Sequence, residues 1–177
     1  MPHMSITDPW QQLSKGWNSR GYLPHFDMAG TAQMITYRLA DSLPPSRLAA
    51  LRAGVSPLDK AAIVEIVHGE LDAGMGDCWL SRPEVARVVE DNFLHFDGER
   101  YRLLCWVIMP NHVHLMVELL PGWPLDKLVH GWKSYTANQA NRLLGLTGAF
   151  WQEDYFDRLI RSEQHFHQAA AYIHSIR

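Results

Sequence analysis

The chain has two cysteines, Cys78 and Cys105, among 177 residues. That is too few for a disulfide framework, and they read as free thiols of a reducing compartment. No apolar run approaches the roughly 20 residues needed to cross a bilayer, and the opening "MPHMSITDPWQQLSKG" is polar and unlike a secretory leader. Strong positive charge is missing too. A formal net charge of −3 argues against a strong nonspecific hold on duplex nucleic acid, which needs many Lys/Arg contacts. Repeats, low-complexity tracts and linkers are also lacking. The expectation is one domain over residues 1–177, with 1–20 as a flexible N-terminal extension.

What is present is a 47% hydrophobic composition, enough for a full core at this length. Charge is unevenly spread. Residues 1–100 carry 9 Lys/Arg against 13 Asp/Glu, residues 101–177 carry 7 against 6, and six of the ten histidines lie in the second part. An anion-binding surface is therefore expected there.

Periodicity supplies the elements. "GYLPHFDMAGTAQ" reads as a loop, and "MITYRLA" (Met34–Ala40) as a strand with Ile35, Tyr37 and Leu39 on one face. A helix is expected after Pro44–Pro45, stopping at Gly54. "SPLDKAAIVEIVHGELDAG" and "RPEVARVVEDNFLHFDG" have helical spacing, the second with Val85, Val88, Val89, Phe93 and Leu94 inward. Two strands follow, "ERYRLLCWVIMP" and "HVHLMVELL", joined by a turn at Pro110–Asn111. "PLDKLVHGWKSYTANQANRLLG" is a long amphipathic helix with Leu125, Leu128, Val129, Trp132 and Leu143 apolar, closed by Gly145 and Gly148. A short strand near Phe150 and a last helix, "SEQHFHQAAAYIHSI", complete the order. The pattern implies an α+β fold, a ferredoxin-like βαββαβ sandwich whose antiparallel sheet carries helices on one face.

Chemistry concentrates in "MPNHVHLMVE". On a strand, His112 and His114 share a face, their backbones about 7 Å apart, and can turn ring nitrogens onto one point. The same residues also read as two strand histidines that are hydrogen-bonded or solvated. On the following helix, Tyr135 and Gln139 stand one turn apart. A sheet of this order could bring them near the imidazoles, two histidines and an amide oxygen holding Mg²⁺ or Mn²⁺. Taken singly, Tyr135 reads as a half-buried aromatic and Gln139 as a surface residue.

"MPNHVHLMVE", then "GWKSYTANQANR", then "FWQEDYFDRLIR" resemble the REP-associated tyrosine transposases, the single-tyrosine branch of the HUH endonucleases, over nearly the whole chain. The resemblance implies a cytoplasmic, nucleoid-associated bacterial enzyme that cleaves and rejoins single-stranded DNA beside hairpins of repetitive extragenic palindromes. His112 and His114 fall on the paired-histidine motif. Tyr135, in the Lys-x-Tyr context of Lys133, falls on the nucleophile that forms a 5′-phosphotyrosine and frees a 3′-hydroxyl. Gln139 falls on the third ligand of Mg²⁺ or Mn²⁺, with Asn138 and Asn141 as neighbouring competitors. The working unit is expected to be a monomer rather than a dimer, away from membranes.

Lys133 could steady a phosphate or be a solvated helix lysine. Trp151, Tyr155 and Phe156 beside Arg158 and Arg161 could stack bases and hold phosphates, or the aromatics could pack the core. Arg20, Arg38 and Arg47 are lesser DNA candidates. One departure stands out: family members continue past "YIHS" into an Asn-Pro segment, where this chain reads "YIHSIR". Two rival functions are a catalytically silent hairpin-binding module and a zinc hydrolase using His112, His114 and His130.

Overall fold

The computed structural model describes residues 16–20, 23–43, 46, 49, 66, 67 and 69–176. The chain runs β1 (Gly16–Arg20), β2 (Leu23–Asp27) and β3 (Ala32–Arg38), then through helical residues 69–72 and a 3₁₀ turn (Trp79–Ser81). It continues as α1 (Pro83–His95), β4 (Tyr101–Ile108), β5 (His112–Leu119), α2 (Leu125–Leu144), β6 (Phe156–Leu159) and α3 (Glu163–Ser175). Strands β3 to β6 form one antiparallel sheet in the order β4-β5-β3-β6, while β1 and β2 pair separately as a hairpin. This is the expected α+β fold.

Strand parity divides the core in two. Ile35, Tyr37 and Leu39 of the β3 segment and Val113, Leu115, Val117 and Leu119 of β5 point to one face. There they meet Val85, Val89 and Phe93 of α1 and Leu125, Leu128, Val129, Trp132 and Ala140 of α2. Inside this layer Tyr101 Oη is paired on both sides: it donates to Phe93 O at 2.7 Å and accepts from Trp132 Nε1 at 3.1 Å. Met34, Cys105, Val107 and Met116 point to the opposite face and pack on Ala169 and Ile173 of α3. Phe156 packs beside them on Leu43, Val67 and Leu71. The crossover helices α1 and α2 thus share one face as expected, and α3 lies on the other. Burial on both sides explains why β5 is buried along almost its whole length.

Local signals account for the boundaries. Pro83 opens α1 at its first turn, where its missing N–H costs nothing. Gly145 closes α2 at φ +65°, in the left-handed region that favours glycine. Ser162 caps α3 by accepting from His165 N at 3.1 Å. Met109 N–H donates to His112 O at 2.9 Å, closing the Pro110–Asn111 turn.

Four expectations need correction. The stretch read as a loop contains β2, whose Pro24 argues against a central strand but is tolerated in a two-stranded hairpin. Strand β3 begins at Ala32, not Met34. The last strand is Phe156–Leu159; near Phe150 there is only an isolated bridge from Trp151 to Leu39. Leu94 and Leu143 face outward, 46% and 53% exposed, rather than into the core. The helix expected after Pro44–Pro45 and the start of the next one fall almost wholly outside the described residues, as do Arg47, the side chain of Arg20 and most of the supposed N-terminal extension.

Candidate active site

His112 and His114 sit on the α3 face of β5, where their side chains are fully buried. Their Nε2 atoms face each other at 2.9 Å. The outer nitrogens are anchored: His112 Nδ1 to Asn111 Oδ1 at 2.7 Å, and His114 Nδ1 to Thr36 Oγ1 at 2.7 Å. Asn111 Nδ2 donates to Met75 O at 2.8 Å, which leaves its Oδ1 to accept from His112. His112 therefore carries its proton on Nδ1 and turns the Nε2 lone pair toward His114. Such anchoring of the far nitrogen is how metal-ligating histidines are oriented.

Asp72 completes the cluster. Its Oδ1 lies 3.4 Å from His112 Nε2, and one ligand atom from each of Asp72, His112 and His114 lies within 4.8 Å of the others. Two imidazoles and a carboxylate suit a divalent cation such as Mg²⁺, Mn²⁺ or Zn²⁺. The loop after Asp72 is held from two sides, by Asn111 on Met75 O and by Asp41 Oδ2, which accepts from Asp77 N at 2.7 Å. Gly76 in that loop has φ +91°, and a Cβ there would stand 2.9 Å from Asp41 Oδ2, so only glycine fits.

The tyrosine beside this cluster is Tyr172, on α3. Its ring meets the His114 ring edge-on at 5.4 Å, and its hydroxyl donates to Asp72 Oδ2 at 3.3 Å. Burial and the adjoining Asp72 charge push the phenol up to about 12. Burial also raises the Asp72 carboxyl, against the lowering effect of the Tyr172 hydrogen bond. Without a cation the phenol is held firmly protonated.

The structure does not bring Tyr135 or Gln139 to the histidines. Both are on α2, which packs through Leu128, Trp132 and Ala140 on the other face of the sheet, and Tyr135 is 53% exposed. His130 and Lys133 are on the same helix. They line a second cavity with Ser134 and Glu153, so His130 is not the third member of the cluster. Lys133 Nζ donates to Glu153 O, and burial pulls its ammonium from 10.5 to about 8. Trp151 and Tyr155 are core residues rather than base-stacking surfaces. Trp151 packs edge-on against Tyr37 at 4.7 Å and donates to Thr136 Oγ1 at 2.9 Å. Arg38 is buried, with its guanidinium on Ser42 Oγ at 3.2 Å. Arg158 and Arg161 are exposed, and Arg158 lines a cavity that opens beside Tyr172. No described helix is long and apolar enough to cross a membrane.

Sequence reasoning missed Asp72, Thr36 and Tyr172, and saw Asn111 only as a turn residue. A signal for Tyr172 existed. Val113, Leu115 and Val117 form the more apolar side of β5, the side that crossover helices cover. The histidines therefore had to face away from α2.

A buried histidine pair, a carboxylate and a tyrosine thus meet on one sheet face. Residues 87–176 match the profile of the family "Transposase IS200 like". The chain belongs to this family of IS200-like transposases. No curated protein matches it. Among solved structures, one described as a "REP associates tyrosine transposase bound to a REP hairpin" is 15% identical, with a TM-score of 0.48 over 88% of this chain and 69% of that one. A putative transposase from Deinococcus radiodurans R1 is 16% identical, with a TM-score of 0.42 over 90% of this chain and 97% of that one.

Proposed function

We propose that this transposase cleaves and rejoins single-stranded DNA beside hairpins, with Tyr172 as the nucleophile and His112, His114 and Asp72 as the metal-binding set. One observation carries the reading: the Tyr172 hydroxyl and His112 Nε2 sit on the two oxygens of the same Asp72 carboxylate. A nucleophile so held lies within reach of any phosphate drawn to the cluster.

The steps follow from these positions. Tyr172 Oη attacks phosphorus in line, and its proton passes to Asp72 Oδ2. The bond from phosphorus to the 3′ oxygen breaks, and that oxygen takes a proton from solvent to become a 3′-hydroxyl. The 5′ phosphate stays on Tyr172. Attack by another 3′-hydroxyl reverses the sequence, so rejoining needs no nucleotide cofactor. A divalent ion, when bound, supplies the positive charge that polarises the phosphate and neutralises charge developing on it. All four side chains come from one chain, so the chemistry asks for no second copy. The motifs "MPNHVHLMVE" and "FWQEDYFDRLIR" support hairpins of repetitive extragenic palindromes as the substrate.

Two oligonucleotides of identical sequence test this, one folded as a single-stranded hairpin and the other annealed to its full complement. The expected result is cutting of the hairpin alone, with Mg²⁺ or Mn²⁺, leaving protein on the 5′ side of the break. Equal cutting of both, or full cutting in excess chelator, contradicts the proposal.

A further inference from the structure

The site opens into a cavity of about 460 Å³ that Thr36, Asp72 and Tyr172 line on one side, and the proposed chemistry leaves its remaining walls without a role. Met34 and Phe156 give those walls their apolar part; Asp157, Arg158, His165 and Gln168 are their polar groups. His165, Gln168 and Tyr172 stand at i, i+3 and i+7 on α3, so one stripe of one helix carries both the tyrosine and the polar groups. Along the axis, His165 and Tyr172 are about 10 Å apart, a span that a short length of extended single strand bridges.

His165 has an unmet requirement. Its Nδ1 accepts from Arg161 N at 3.4 Å, while its Nε2 is buried with no hydrogen-bond partner among the described residues. Apolar walls with a few placed hydrogen-bonding groups are the usual make-up of a small-ligand pocket. A planar base fits that make-up, with its faces on Phe156 and Met34 and its edge on imidazole and carboxamide.

We propose that this cavity receives one unstacked nucleobase next to the phosphate that Tyr172 attacks, read at its edge by His165 and Gln168, with Arg158 on a flanking phosphate. This rests on the single-strand reading above and adds to it a protein-encoded choice of base at the cleavage site. Burial and the nearby Arg158 and Arg161 charges lower the His165 pKa and favour the neutral ring, which, with Nδ1 accepting from Arg161 N, offers its Nε2–H as a donor.

The test selects binders from a single-stranded DNA library, hairpin-bearing and randomised beside the hairpin, using Tyr172→Phe so that no strand is cut. One position should show a preferred base by about tenfold. That preference should vanish in the added double change His165→Ala and Gln168→Ala, with other positions unchanged. Gln168→Glu, which replaces a donor by an acceptor, should switch the preferred base. An unaltered preference in the double variant and in Gln168→Glu overturns the pocket assignment alone. Failure to enrich any single strand overturns the proposed function, and the pocket with it.

Discussion

The Nε2 atoms of His112 and His114 face each other across 2.9 Å inside the protein. Two lone pairs at that distance repel, so one proton or one cation must lie between them. In the ion-free protein, His114 can carry the proton on Nε2 and accept at Nδ1 from the Thr36 hydroxyl. With an ion bound, the Thr36 hydroxyl must turn to accept from Nδ1, a change of tautomer that a rotating hydroxyl permits.

The anchors can therefore be tested apart from the ligands. Asn111→Ala removes the partner of His112 Nδ1 and frees the Met75 loop. Thr36→Val removes the partner of His114 Nδ1. Each should weaken Mn²⁺ binding by about 10- to 100-fold, measured by calorimetric titration, while near-ultraviolet circular dichroism shows the fold retained. Unchanged affinity in both would show that the imidazoles are oriented without them.

Asp72 and Gln139 offer a direct contrast, since one is at the histidines and the other is across the sheet. Asp72→Ala should abolish cleavage at ordinary metal concentrations. Asp72→Asn, which keeps one oxygen donor, should be partly rescued by more metal. Gln139→Ala should cleave as the wild type. A raised metal requirement in Gln139→Ala would place the third ligand on α2 after all.

Much of this was legible in the sequence. Alternation in the β3 and β5 segments, helical spacing in α1 and α2, and the stop at Gly145 marked the sheet and its crossover helices, because each is a local pattern. His112 and His114 were legible because strand parity alone puts them on one face. The placement of Tyr135 and Gln139 was not legible, because their one-turn spacing says nothing about which side of the sheet α2 covers. Asp72 lies 40 positions before His112, and only tertiary folding makes them neighbours. Trp151 looks the same in sequence whether it stacks on a base or packs edge-on against Tyr37, and Tyr155 whether it is exposed or buried; packing decided both.

Lys133 yields a pH prediction independent of catalysis. Its ammonium loses solvation on folding, which lowers its pKa from 10.5 to about 8. Below pH 8 both folded and unfolded chains hold the proton and the full penalty applies. Between about 8 and 10.5 the unfolded chain holds more protons, so stability rises with pH. Relative to Lys133→Met, the wild type should gain stability across that window in urea unfolding. Cleavage at pH 7 should be the same in both. A constant stability difference from pH 7 to 10.5 would show that the lysine is not desolvated.

The most direct measurement concerns which tyrosine becomes attached to DNA. The protein is incubated with a labelled single-stranded hairpin and Mn²⁺, denatured and digested, and the nucleotide-bearing peptide is located by mass spectrometry. The account predicts an adduct on Tyr172, lost in Tyr172→Phe and retained in Tyr135→Phe. An adduct on Tyr135 that persists in Tyr172→Phe would contradict it.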